Sequence, residues 1–215
     1  MAIGFRGRDM PVSIMATSGD ELVKKVSELG HDPSQVFLKH GNPNFVNALE
    51  RSRYKMFASL AESGAECPIG FVREFNALRE LHAALPQNVA TPIALVKSGL
   101  FTVCGYLTEY VDGITLLQLE EHPVFESVSI AQKAALYEGI LFLIRDIEKA
   151  GLAHGDLSNR GNIIISKSGG IKLIDPMPDS YALSSDHDTR MGLIETVFGL
   201  RRMQLEGMDD GSVRE

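Results

Sequence analysis

Residues 154–176 constrain this chain more than any other stretch. His154-Gly-Asp156-Leu-Ser-Asn-Arg160-Gly-Asn162 is polar, Ile163-Ile-Ile165 is apolar, and after a glycine-centred turn Ile171-Lys-Leu-Ile174 runs into Asp175-Pro176. Short apolar runs bounded by turn residues read as strands. The stretch is therefore loop, strand, turn, strand, with an acid at the exit. Asp156, Asn162 and Asp175 then stand at adjacent strand ends. Two carboxylates and an amide are hard oxygen donors, suited to a divalent cation.

The preceding chain supplies elements that such a loop needs. Val12–Met15 reads as a short strand, and Leu22–Leu29 fits either a helix, by its charges, or one arm of a hairpin. Gly30-His-Asp-Pro33 is a turn, and Gln35–Lys39 is a strand with Lys39 at its exit. Asn47–Ala61 is expected to be helical. So is Phe71–Leu85, where Phe71, Phe75, Leu78, Leu81 and Leu85 form a packing stripe beside Glu74 and Glu80, and Pro86 stops the run. Strands Thr91–Val96 and Leu100–Leu107 lead to a connector, Thr108–Gly113. Thr115–Glu121, a long helix over Val128–Ala150 and a last core helix at Met191–Phe198 complete the reading. Asp186 or Asp188 is placed to anchor that last helix to the polar loop.

In this order Lys39, Glu74, Asp156, Asn162 and Asp175 resemble the ordered motifs of the protein kinase superfamily. The resemblance implies an α+β, minimal two-lobed fold in one kinase domain, residues 1–215. The amino lobe with its hinge would span residues 12–112 and a reduced carboxyl lobe residues 113–215. It further implies ATP and magnesium, with Asp156 orienting the acceptor hydroxyl and Asn162 and Asp175 holding the metal. Lys39, paired with Glu74 rather than Glu80, would position the phosphates. The backbone near Gly19 would cover those phosphates from a hairpin, and Glu109, Tyr110 and Val111 would contact the adenine. Tyr106 or Leu107 would limit the depth of that pocket. His154 would be a structural imidazole beneath the loop, and Arg160 would meet phosphate or a carboxylate, or stay solvated on the loop.

Three departures from the family pattern matter. Only Gly19 interrupts residues 16–21, so the glycine-rich loop is poor. Asp156 and Asn162 are separated by one residue more than the usual Asp-x4-Asn. Asp175-Pro176-Met177 replaces Asp-Phe-Gly, which removes the flexible glycine and predicts a comparatively fixed metal ligand. Only 40 residues follow Asp175, too few for the family's usual substrate-binding helical region, and a constitutively formed site is expected.

Composition narrows the function. Net charge is -7, with 21 Lys and Arg against 28 Asp and Glu and no basic block, which disfavours nucleic-acid binding. The first eleven residues lack an apolar signal core, and no run approaches membrane-spanning length, so stable membrane insertion is not expected. Cys67 and Cys104 form neither a metal-spacing nor a redox motif and read as reduced thiols. The small size, the poor glycine loop, the His-Gly-Asp-Leu-Ser run and Ile-Asp-Pro are similar to the Hop BF family of minimal bacterial effector kinases. That resemblance implies delivery by type III secretion into the host cytoplasm, and serine phosphorylation of the ninety-kilodalton heat-shock chaperone as a virulence toxin. The alternatives are a small-molecule phosphotransferase of the aminoglycoside or sugar type, which would need an acidic pocket, and an inactive kinase-like chaperone-binding protein.

Overall fold

The computed structural model describes residues 11–40, 57–60, 68–98, 103–177 and 182–209. The chain divides into two units, Met1–Phe75 with Thr91–Tyr110, and Asn76–Ala90 with Val111–Glu215. The α+β class expected from the sequence is what forms.

A five-stranded sheet carries the first unit, in the order β1-β4-β5-β2-β3. Its strands are β1 (Ser13–Met15), β2 (Val36–His40), β3 (Phe57–Leu60), β4 (Pro92–Lys97) and β5 (Val103–Glu109). β5 lies antiparallel to both β4 and β2, while β1 joins β4 and β3 joins β2 in parallel. Parallel neighbours need a crossover, and helix α1 (Gly19–Glu28) follows β1 directly. Ser18 caps α1 by accepting the Glu21 N–H, and Asp20 and Glu21 favour its positive end. Leu22, Val23 and Val26 lie on one helical face and pack with Val36, Leu38, Ala94, Val96 and Leu107 of the sheet. Each fully buried leucine there contributes about 2 kcal/mol.

Three sequence expectations are corrected in this unit, the third at the end of β5. The phosphate-covering hairpin is not formed, because residues 19–28 are helical and Gly19 is the buried first residue of α1. The apolar residues recur with helical spacing and the cap is strong, so the charge pattern wins over the hairpin reading. Phe57–Leu60, expected at the end of a helix, is strand β3, with Phe37 opposite Phe57 and Lys39 opposite Ser59. An open edge of β2 gives these residues backbone partners that a four-residue helix end lacks. The rest of that expected helix, together with Cys67, lies outside the described residues.

Helix α2 (Pro68–Ala84) matches its expected range closely, and the division between units falls within it. β5 extends to Glu109, so Thr108 and Glu109 are strand residues rather than the connector expected there.

The second unit holds a small antiparallel sheet, β6 (Gly113–Thr115), β7 (Ile163–Ser166) and β8 (Ile171–Leu173), in that order. Residues 88–90 cover the outer edge of β8: Leu173 N–H donates to Asn88 O at 2.7 Å, and Ala90 N–H donates to Leu173 O at 3.0 Å. Short helices α3 (Leu116–Glu121) and α4 (Pro123–Ser127) precede α5 (Ile130–Lys149), which opens with a reciprocal Ser129–Gln132 capping box. α5 buries Tyr137, Ile140, Leu143, Ile144 and Ile147. α6 (Ala182–Asp209) is far longer than the expected Met191–Phe198 and is tied to α5 by Arg190–Glu148 at 2.8 Å and Arg201–Glu138 at 2.9 Å. Among the described residues no helix is long and apolar enough to cross a membrane.

Candidate functional site

In the first unit the register of β2 and β5 sets Lys39 opposite Tyr106. Directly paired residues project from the same face of a sheet. Here that face is the one opposite α1, since α1 packs on the alternate residues Leu38 and Leu107. α2 lies against it, with Phe71 and Phe75 at ring-centroid distances of 6.3 and 5.9 Å from Tyr106. Glu74, between those two phenylalanines, meets Lys39 Nζ at 3.0 Å through Oε2. The same oxygen accepts the Tyr106 hydroxyl at 3.1 Å. Lys39 and Glu74 side chains are 14% and 19% exposed, so the pair is shielded yet open on one side.

The expected adenine contacts are partly committed to the protein itself. Glu109 N–H donates to Thr91 O at 2.8 Å, and the Glu109 carboxylate takes both the N–H and the hydroxyl of Thr91. Tyr110 N–H donates to Gln35 O at 2.8 Å. The Glu109 carbonyl in turn accepts the Thr108 hydroxyl at 3.2 Å. Gly19, within α1, has been removed from the hairpin that motivated it.

The second unit builds the loop around Asp186. Its carboxylate, from the first turns of α6, accepts His154 N–H at 2.6 Å and Gly155 N–H at 2.9 Å. Of the two acids considered for this anchor, Asp186 is the buried one and Asp188 is exposed. Burial raises the Asp186 carboxyl above its usual range, while the two N–H donors act in the opposite sense. His154 is 1% exposed and faces Ile174 O at 2.8 Å through Nε2. A carbonyl only accepts, so Nε2 carries the proton, and Nδ1 is left buried without a partner. Burial pushes the imidazole down to about 4, so it is a neutral brace, as expected.

From this brace the loop passes to Asp156 and then through a 3-10 turn, Arg160–Asn162, into β7. Asn162 is 5% exposed. Its Nδ2 donates to Asp156 O at 3.0 Å and to Asp156 Oδ2 at 2.8 Å. Both partners are acceptors, which fixes the amide with its nitrogen toward Asp156 and its oxygen turned away. The extra residue between Asp156 and Asn162 is accommodated without separating them. Asn159, whose side chain accepts Gly161 N–H at 3.1 Å, shapes the turn.

Asp175 follows β8 and is held from both sides. Ile174 N–H donates to Asn162 O at 3.1 Å, and Met177 N–H donates to His154 O at 2.8 Å. Asp175 itself sits at φ 51°, a left-handed conformation that asparagine and aspartate adopt more readily than most residues. Gly155 explains the tight fit: at φ 86°, a Cβ there would lie 2.0 Å from Met177 O. The oxygen donors of Asp175 and Asn162 suit magnesium, which uses one or two carboxylates and completes its shell with phosphate and water. Among the described residues no cluster of three or more His, Cys, Asp or Glu could hold a metal alone.

Arg160, for which two partners were weighed, is paired with Glu120. Tyr137 also donates to Glu120, at 2.6 Å. Burial is the first cause that raises the Tyr137 phenol, and the Glu120 hydrogen bond is the first that raises the Arg160 guanidinium. Glu120 was missed because a helix-end carboxylate carries no signal of what a residue 40 positions later will offer it. Beside this cluster a groove of about 610 Å³ begins one residue after Asp156, over Leu157, Ile163 and Leu193, with Ser158, Arg160 and Asp188 among its polar lining. The Tyr106 hydroxyl was also missed: the sequence offers Tyr106 only as a limit to pocket depth, and nothing local shows the carboxylate it reaches. No protein-family model and no curated protein matches this chain.

Proposed function

We propose that this protein is an ATP-dependent serine/threonine protein kinase that uses magnesium. The observation that carries the reading is the Asp186-framed loop, in which Asn162 fixes Asp156 while turning its own oxygen away from it, beside the strand that leads to Asp175. Asp156 aligns a serine hydroxyl and receives its proton. The new O–P bond forms as the bond from the γ-phosphorus to the β,γ-bridging oxygen breaks, and ADP leaves. Lys39, steadied by Glu74, holds nucleotide phosphates. Asn162 and Asp175 would hold magnesium, which would neutralise charge at the transferring phosphoryl group.

A polypeptide acceptor is favoured over a polycationic small molecule by the groove beside Asp156. Its lining has one carboxylate, Asp188, and one guanidinium, Arg160, over an apolar floor. An aminoglycoside would need several acids. On sequence resemblance alone, we extend the proposal to a Hop BF-type effector. It is delivered by type III secretion to the host cytoplasm, where it phosphorylates and inactivates the ninety-kilodalton heat-shock chaperone. Transfer of labelled γ-phosphate from ATP to purified chaperone and to unrelated serine-containing proteins tests both levels. Labelling of the chaperone on serine supports the full proposal, labelling of other proteins alone removes the chaperone, and absence of transfer with magnesium and manganese removes the kinase.

A further inference from the structure

We propose that the Tyr106 hydroxyl is a positioning group that holds Glu74 against Lys39, so that folding of the first unit forms the pair. This role rests on the nucleotide reading of Lys39 and Glu74.

Three observations converge on it. Tyr106 is 1% exposed, and a buried phenol needs a partner for its hydroxyl. That partner includes Glu74 Oε2, the same oxygen that holds Lys39. Tyr106 and Lys39 are register partners on adjacent strands, so one patch of sheet presents both donors to one carboxylate oxygen. The ring also sets the helix that brings the acid. Phe71 and Phe75 flank Glu74 along α2, and both pack on Tyr106 at interplanar angles of 69° and 51°. The ring thus fixes the rotation of α2, and the hydroxyl fixes the acid that this rotation delivers. Lys39 Nζ lies 6.0 Å from the Tyr106 ring centroid, at the outer limit of a cation–π contact. A phenylalanine would preserve the aromatic packing and lose only the hydroxyl.

Tyr106→Phe separates positioning from packing. The first measurement needs no nucleotide: trace acetylation by acetic anhydride, read for each lysine by mass spectrometry. Lys39 should become acetylated several-fold faster, while the exposed lysines Lys24 and Lys167, at 77% and 78% side-chain exposure, stay unchanged. The second is magnesium-ATP affinity by calorimetry, which should weaken about tenfold, as expected for loss of one hydrogen bond to a charged group. The melting temperature should fall by only several degrees, the scale of that one hydrogen bond, and the substitution should have no further effect in a Glu74→Ala background. An unchanged Lys39 acetylation rate overturns the proposal. So does a general rise at all lysines with a large fall in melting temperature, which would mark a packing role. If the wild type and Lys39→Ala bind magnesium-ATP equally, the nucleotide reading itself fails and the positioning role falls with it. Normal ATP affinity in Tyr106→Phe, with loss only in Lys39→Ala, overturns the positioning role alone.

Discussion

Asn162 does two jobs with one amide. Its nitrogen is committed to Asp156, and in the proposed kinase its oxygen would be the neutral member of a magnesium pair. Asn162→Ala removes both, so the magnesium concentration for half-maximal turnover should rise at least about tenfold, the usual scale for loss of a supporting metal contact. A magnesium titration of turnover checks this, and an unchanged requirement would remove Asn162 from the metal site. His154 gives a separate prediction in pH. Its folded pKa, about 4, lies below the unfolded value of about 6.5, so the unfolded chain binds the extra proton first. The contribution is complete above pH ~6.5 and is lost as pH falls toward 4, on the order of 3 kcal/mol. Asp186 works in the opposite direction at the acid end, because its raised carboxyl takes a proton earlier in the folded state. Urea unfolding at pH 7, 6 and 5 should therefore show a steeper acid loss for the wild type than for His154→Gln. Equal slopes would contradict the neutral buried imidazole.

At the scale of elements, the loop at residues 154–162 and the segment after β8 are locked by backbone contact. Gly155 has a positive φ, and its missing Cβ makes room for the Met177 carbonyl. Gly155→Ala should displace residues 175–177, lower the melting temperature by several degrees and reduce turnover by more than about tenfold, since a small misplacement of reacting groups is costly. Melting and turnover measurements on one purified variant decide it; wild-type values in both would contradict the lock. Much of this region was legible in the sequence, because local patterns specify it. Isoleucine runs on either side of a glycine-centred turn make β7 and β8. Leu22–Leu29 was ambiguous, because a short charged segment fits two periods until the sheet beneath it is known. β3 was misread for a related reason: pairing with β2 is a long-range contact that no local window contains. The Lys39–Glu74 pair was anticipated from family order rather than from periodicity. Its third member, the Tyr106 hydroxyl, depended on a strand register invisible before folding.

At the scale of the whole molecule, each unit carries a complete polar constellation of its own. The first has Lys39, Glu74 and Tyr106 on one sheet face. The second has Asp156, Asn162, Asp175 and their Asp186–His154 frame. Neither set is required by packing alone. A partly buried Lys–Glu pair often adds little stability over an apolar one, and a left-handed aspartate adds strain. In the proposed phosphoryl transfer the first set would hold the nucleotide and the second would align the acceptor and the metal. The most direct measurement is magnesium-dependent transfer of labelled γ-phosphate from ATP to protein serine, in the wild type, Asp156→Asn and Asp175→Asn side by side. Incorporation by the wild type and a fall of at least about a hundredfold in both variants is the expected result. Wild-type levels of transfer in both variants, or none from the folded wild-type protein, would contradict the account.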